Sequence, residues 1–217
     1  MKVSEKSLEL NIGAELLGIM RNQWGKPKAY LRGLTQREER QEGVDFFAQL
    51  DPAVRIFAFQ FKAPIGKAEG PPYRYTLKKY QHRALFRLAR AAANSVFYVL
   101  PFYLEIAKLQ QDVPNLATDT WLLSVDQLRT ADVFGAAASK VVSCTPGQAA
   151  INPEYRLLPL SDVTHTGLVG IRPARFASWY RRYRQLDIPR VASRRNPWLA
   201  RGLRIAVVLP SQPIASP

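Results

Sequence analysis

Cysteine and histidine are scarce in this sequence, and their scarcity excludes several kinds of site. The 217 residues include one cysteine, Cys144, and two histidines. A single cysteine cannot form an intrachain disulfide, and two histidines without cysteines at ligand spacing form no recognisable zinc motif. The sequence also lacks a Walker loop, a GxGxxG pattern and a GxSxG pattern. Common signatures of nucleotide binding and of serine hydrolases are therefore missing.

Long apolar runs are missing too. The longest one, residues 95–107, has 13 residues, includes Pro101 and Glu105, and is too short to span a bilayer. The first ten residues, MKVSEKSLEL, contain neither the apolar segment nor the small-residue cleavage site of an export signal. We therefore expect no membrane partner and a cytoplasmic location, which also suits a chain with one cysteine.

Acidic residues are few relative to basic ones. The chain has 31 lysines and arginines against 17 aspartates and glutamates, a net charge of +14. Such an excess favours a polyanionic partner, and nucleic acid is a better candidate than an acidic membrane surface. The excess is concentrated at one end, because residues 172–217 contain ten arginines and a single acidic residue, Asp187.

The apolar pattern predicts one main domain of mixed α/β structure. An apolar content of 47% with 11% aromatic residues is typical of a globular protein. Periodicity predicts helices at residues 8–21, 35–41, 80–93 and 103–110, and strands at residues 44–50, 55–62, 73–77, 95–100 and 120–124. The segment that follows is rich in Gly, Pro and Ser and leads into the basic tail, with residues 147–173 irregular.

The stretch FAFQFKAP, residues 57–64, places two polar side chains in a strand that is otherwise apolar. Side chains alternate between the two faces of a strand, so the three phenylalanines share one face and Gln60 and Lys62 share the other. Lysine is rarely buried without a partner. Lys62 is therefore expected either at an edge of the sheet, where it discourages aggregation, or beside an acidic group.

A candidate partner for this pair lies on the preceding strand. The sequence DPAV at residues 51–54 predicts a type I turn, and a turn centred there pairs residues whose numbers sum to 105. Asp45 is then opposite Gln60, with cross-strand Cβ atoms about 4.5–5.5 Å apart. The structural alternative is that Asp45 pairs with an arginine. The functional one is that a carboxylate and an amide oxygen share Mg²⁺ while Lys62 orients a water or offsets phosphate charge.

Asp45 followed by Gln60-Phe61-Lys62 resembles the signature of the PD-(D/E)XK nucleases, in the Gln-x-Lys variant of Mrr-like restriction endonucleases. The resemblance implies a restriction-endonuclease-like fold, a mixed sheet flanked by helices, and metal-dependent phosphodiester cleavage. It also implies an acidic residue on the first helix, for which Glu15 is the candidate and Glu39 the rival. Glutamine at position 60 and valine at position 44 depart from the usual pattern. Several stretches between residues 8 and 125 also resemble uncharacterised bacterial proteins.

These observations predict a nuclease-like core at residues 1–165 and an arginine-rich extension at residues 166–217. The expected function is Mg²⁺- or Mn²⁺-dependent cleavage of nucleic acid, DNA rather than RNA, with an anti-invader or restriction setting suggested by analogy alone. The alternatives are a non-catalytic nucleic-acid-binding subunit and a scaffold with partner proteins in a larger assembly. His82 could act as a general base or be a structural histidine. Nucleic-acid contacts are expected from the extension's Arg172, Arg175, Arg181, Arg182, Arg184, Arg194 and Arg195.

Overall fold

The described parts of the chain contain ten strands and four α-helices. The structure is a computed structural model and describes residues 1–34, 44–49, 56–66, 69–90, 94–150 and 154–161. The strands are β1 Tyr30–Gly33, β2 Phe46–Gln49, β3 Ile56–Phe61, β4 Tyr73–Lys78, β5 Val96–Pro101, β6 Thr120–Ser124, β7 Ser139–Thr145, β8 Gln148–Ala150, β9 Glu154–Arg156 and β10 Leu158–Pro159. The helices are α1 Glu5–Gly18, α2 Lys79–Ala89, α3 Ile106–Asp112 and α4 Thr130–Phe134.

A six-stranded mixed sheet lies at the centre, in the order β1-β2-β3-β5-β6-β10. β3 pairs antiparallel with β2 on one side and parallel with β5 on the other. The chain returns to the sheet in the parallel direction because β4 and α2 lie between β3 and β5, as a parallel connection requires. The α/β class and the mixed sheet flanked by helices agree with the sequence prediction.

Helix α1 covers one face of this sheet. Its buried residues Leu8, Ile12 and Leu16 recur every four positions and belong to the same core cluster as the phenylalanines of β3. The helix begins at Glu5, three residues before the predicted start, because Ser4 is its N-cap and accepts a hydrogen bond from the Ser7 N–H at 3.0 Å. It ends in a π-helical turn, Ile19–Gln23.

Helix α2 and a second sheet cover the opposite face. The second sheet has four antiparallel strands in the order β4-β7-β8-β9. Its core side chains, such as Tyr75, pack with Leu85 and Leu88 of α2 and with Ala58 of β3. Both faces of β3 are therefore covered, and all six of its residues are buried. The predicted alternation, with phenylalanines on one face of β3, is confirmed.

The region after Ser124 contains more regular structure than the sequence predicts. It holds a short 3-10 turn, Val125–Gln127, then α4 and β7 to β10. These strands are short, and β7 is defined by six residue pairs with β4, a long-range interaction that local patterns do not reveal. The predicted helix at residues 35–41, the DPAV turn and the whole of residues 166–217 lie outside the described ranges.

The described helices are all too short or too polar to cross a bilayer. The predicted apolar segment at residues 95–107 is instead divided between β5 and the start of α3. Its buried side chains form part of the protein core.

Candidate active site

The β2–β3 hairpin has the register that the sequence predicts. Phe46 is opposite Phe59 and Phe47 is opposite Ala58, so paired numbers sum to 105. Just before β2, the Asp45 N–H donates to the Phe59 carbonyl at 2.9 Å, one residue out of this register. The register brings the side chain of Asp45 to the end of β3, where Gln60 and Lys62 lie.

Asp45 and Gln60 are in direct contact. Oδ2 of Asp45 accepts one hydrogen bond from Nε2 of Gln60 at 2.7 Å and another from the Phe61 N–H at 2.5 Å. Both donors therefore use the same carboxylate oxygen. The two side chains are 6% and 1% exposed, so this contact lies inside the protein.

Gln81 of α2 also forms a hydrogen bond with Gln60. Its Nε2 donates to Oε1 of Gln60 at 2.7 Å, because α2 starts directly after β4 and places Gln81 near the end of β3. Among the described residues, Oε1 of Gln81 is buried and accepts no hydrogen bond. A buried polar atom without a partner is unfavourable in a folded protein, which marks this position as one that a cation or a donor group would stabilise.

Electrostatics couple Asp45 to Lys62 and to helix α1. Burial raises the pKa of Asp45 to about 7; the Phe61 N–H and Lys62 oppose this rise, whereas the nearby charges of Glu5 and Glu9 add to it. Burial lowers the pKa of Lys62, while Glu5 and Asp45 counteract that shift. The structure therefore brings together Asp45, Gln60 and Lys62, as predicted.

Two acidic residues of α1, Glu5 and Glu9, lie beside Asp45, Gln60 and Lys62. Neither was predicted from the sequence. Oε2 of Glu5 accepts from the Ala63 N–H at 3.2 Å, next to Lys62. Glu9 is 8% exposed and forms an ion pair with Lys6 at 2.7 Å. Residues four apart share a helix face, but the helix predicted from residue 8 left out Glu5, and the pairing of Glu5 with Glu9 was not recognised.

Glu15, the predicted outer acid, faces elsewhere. Its carboxylate accepts hydrogen bonds from the N–H groups of Leu116 and Ala117, both at 2.8 Å. Glu15 thereby holds the loop after α3 and is not brought to Asp45. Glu39, the rival candidate, lies outside the described residues, and so do all seven arginines predicted to contact nucleic acid.

His82 occupies a structural position. It is fully buried, and its two ring nitrogens lie 3.1 Å from the Tyr98 hydroxyl and 2.9 Å from the Leu128 carbonyl oxygen. Burial lowers its pKa, so the ring is neutral near pH 7 and donates to Leu128 through Nε2–H. These contacts favour the structural alternative over a general base.

The carboxylate and amide oxygens of Asp45 and Gln60 are the kind of ligand that a hard cation such as Mg²⁺ binds. The described residues contain no group of three or more His, Cys, Asp or Glu side chains that could hold a metal. Mg²⁺, however, is commonly bound through one or two carboxylates, waters and substrate phosphates. Asp45 supplies such a carboxylate. Its pKa is raised first by burial and then by the charges of Glu5 and Glu9, and a bound cation would favour its ionised form.

Gln60 can offer its amide oxygen to the same cation only after its amide group turns over. Its amide N–H₂ group faces Asp45, so its oxygen can bind a cation there only if the amide turns over. The turned amide would direct its N–H₂ group toward Gln81, whose Oε1 is the unpartnered acceptor. The residues present therefore fit Mg²⁺ on the condition that both glutamine amides reorient.

No family model, curated protein or solved structure matches the chain. The resemblance to the Gln-x-Lys nucleases rests on Asp45, Gln60 and Lys62 alone. The chemistry of these side chains and their neighbours is the basis for the functional assignment.

Proposed function

We propose that the protein is a Mg²⁺- or Mn²⁺-dependent phosphodiesterase that cleaves nucleic acid, DNA rather than RNA. The observation that carries this proposal is the convergence of Asp45, Gln60 and Lys62 at one end of β3, with Glu5 and Glu9 of α1 beside them. A buried carboxylate with a strongly raised pKa next to a lysine is characteristic of functional sites. A mixed sheet flanked by helices is the architecture that the nuclease resemblance implies.

Each residue has a role under this proposal. Asp45 would hold the metal with one carboxylate oxygen, and Gln60 would contribute its amide oxygen. When bound, the metal would supply a water of lowered pKa and a positive charge close to the phosphate. Lys62 would donate hydrogen bonds to that water or to a phosphate oxygen. Glu9 or Glu5, in place of Glu15, would be the acid on the first helix.

A non-catalytic nucleic-acid-binding subunit is the second candidate, and a specific observation favours it. Gln60 donates to the same Asp45 oxygen as the Phe61 N–H, and these hydrogen bonds use the oxygen that a metal would need. Asp45, Gln60 and Lys62 are each less than 10% exposed. Under this alternative the cluster stabilises the hairpin and binding occurs elsewhere on the molecule.

Cleavage assays test the two candidates. Supercoiled plasmid, single-stranded DNA and RNA are incubated with Mg²⁺, Mn²⁺ or EDTA, using wild type, Asp45→Asn and Lys62→Met. Asparagine can accept both hydrogen bonds now made to Oδ2, and methionine approximates the length of lysine without its charge. We expect metal-dependent DNA cleavage that falls by about 100-fold or more in both variants, as for loss of an electrostatic group in an active site.

Glu15→Gln is the matched control, because this residue faces the loop at residues 116–117, and it should cleave like wild type. Cleavage that persists in Asp45→Asn would move the active site away from β3. A wild-type protein that binds DNA and never cuts it, with either metal, would leave the non-catalytic subunit as the function.

A further inference from the structure

Helix α2 carries a stripe of exposed side chains that the site does not use. Tyr80, Arg83, Arg87 and Arg90 follow one another at spacings of three, four and three residues, which places them on one helix face. Tyr80 is 61% exposed and the three arginines are exposed. The opposite face of the helix, with His82, Leu85, Leu88 and Ala89, is buried. We call the exposed set the α2 stripe.

The α2 stripe lies in a segment of unusual charge. Residues 70–104 contain six lysines and arginines and no aspartate or glutamate. An ordinary solvated helix face alternates its charges, and acidic residues three or four positions away offset the basic ones. Helix α2 itself carries no aspartate or glutamate, so all the charged side chains of the stripe are basic. A polyanion is the complementary partner.

One end of the α2 stripe is next to the candidate site. Tyr80 precedes Gln81, whose Nε2 is 2.7 Å from Oε1 of Gln60. Lys78, the residue before the helix, is close enough to Lys62 to contribute to the lowering of its pKa. From there the stripe extends along the helix to Arg90, about 15 Å away at 1.5 Å per residue. This length is sufficient for several phosphates of one strand.

We propose that the α2 stripe binds single-stranded DNA and directs the strand into the site at the end of β3. The arginines bind successive phosphates, and guanidinium groups suit this because they form paired hydrogen bonds with phosphate oxygens. The exposed ring of Tyr80 stacks on an unpaired base. In a duplex the base faces are already stacked, which is why the partner is a single strand. The choice of DNA rests on the proposed function.

Binding is measured on the full-length protein in EDTA, so that cleavage plays no part. The probe is a fluorescent oligothymidine of about 20 nucleotides. Arg83→Ala/Arg87→Ala should lower the affinity about tenfold or more. It should also reduce the slope of log affinity against log salt by about 1.4, or 0.7 for each lost phosphate contact. The control Lys28→Ala/Arg156→Ala removes two exposed charges that are not on α2 and should bind like wild type.

Tyr80 variants test the stacking contact. Tyr80→Ala should bind the oligothymidine about tenfold more weakly, while Tyr80→Phe, which keeps the ring, should retain wild-type affinity. Thermal melting of every variant checks that it is folded. Unchanged binding in the arginine double variant, or an equal loss in its control, would overturn the proposal, and so would a preference for RNA or duplex DNA. Because EDTA blocks metal-dependent cleavage, a failed nuclease assay leaves this result intact.

Discussion

At the scale of single residues, Asp45 combines burial with two hydrogen bonds to one oxygen. Burial is the main reason that its pKa rises from an ordinary value of 3.8 to about 7. The folded protein therefore retains a proton that the unfolded chain releases. Where the native state binds more protons, stability falls as pH rises. The contribution of Asp45 is fully present below the unfolded pKa and is lost as pH rises through about 7.

Asp45→Asn should remove this pH dependence. Asparagine keeps an oxygen for the Gln60 and Phe61 donors and carries no charge. In EDTA at pH 8, the variant should exceed wild type in free energy of unfolding by about 2–4 kcal/mol, since a shift of one pKa unit is worth about 1.4 kcal/mol. Near pH 4 the two proteins should differ little. Urea unfolding at both pH values measures the difference, and a variant less stable than wild type at pH 8 would contradict burial as the dominant effect.

At the scale of elements, α1 uses its acidic residues in two ways. Glu5 and Glu9, near the start of the helix, lie close to Asp45 and Lys62. Glu15, further along, accepts hydrogen bonds from Leu116 and Ala117 and so ties α1 to the loop after α3. The same helix thus supplies charge to the site from one end and stabilises the fold from the other.

The rise in melting temperature caused by Mg²⁺ should distinguish the charge that Glu9 supplies to the site from the structural role of Glu15. A cation that offsets the charge of Asp45 raises the melting temperature of wild type. Glu9→Gln should reduce that rise because it removes one of the neighbouring negative charges. Glu15→Gln should show the full rise. Glu15→Ala should lose about 1.5–3 kcal/mol of stability, as expected for hydrogen bonds to a charged group. An Mg²⁺-induced rise that is lost in Glu15→Gln and kept in Glu9→Gln would reverse the assignment.

The sequence predicted the elements whose signals are local. β3 to β6 and α2 have clear apolar periodicity, and the turn predicted at residues 51–54 gives the observed β2–β3 register, so the contact between Asp45 and Gln60 could be predicted. The approach of Glu9 to Asp45 and of Gln81 to Gln60 could not be predicted from the sequence. It depends on how α1 and α2 pack on opposite faces of the sheet, and nothing near these residues in the sequence encodes that packing. β7 was missed because its pairing with β4 spans more than sixty residues of chain.

At the scale of the whole molecule, two buried titrating groups act on stability in opposite directions. Asp45 has a raised pKa, so stability falls as pH rises from 3.8 to about 7. His82 has a pKa lowered by burial, so the unfolded chain takes up a proton that the folded protein excludes. Its contribution is present above the ordinary histidine pKa of 6.5 and is lost as pH falls below it. Between pH 6.5 and the lowered pKa of His82 the two effects oppose each other, so together they should leave stability nearly independent of pH over that range.

His82→Gln should leave the pH dependence of Asp45 unopposed on the acidic side of this profile. Glutamine can donate to the Leu128 carbonyl and accept from the Tyr98 hydroxyl, the two contacts of His82, but it does not titrate. We expect its free energy of unfolding to rise by up to about 1.4 kcal/mol per pH unit as pH falls from about 6.5 to 5, because the Asp45 effect is then unopposed. That of wild type should change less over the same range. Asp45→Asn should show the reverse, because each variant removes one titrating group. Urea unfolding of wild type and both variants in EDTA measures all three profiles. If His82→Gln and wild type show the same change between pH 6.5 and 5, buried His82 is not the molecule's acid-sensitive element.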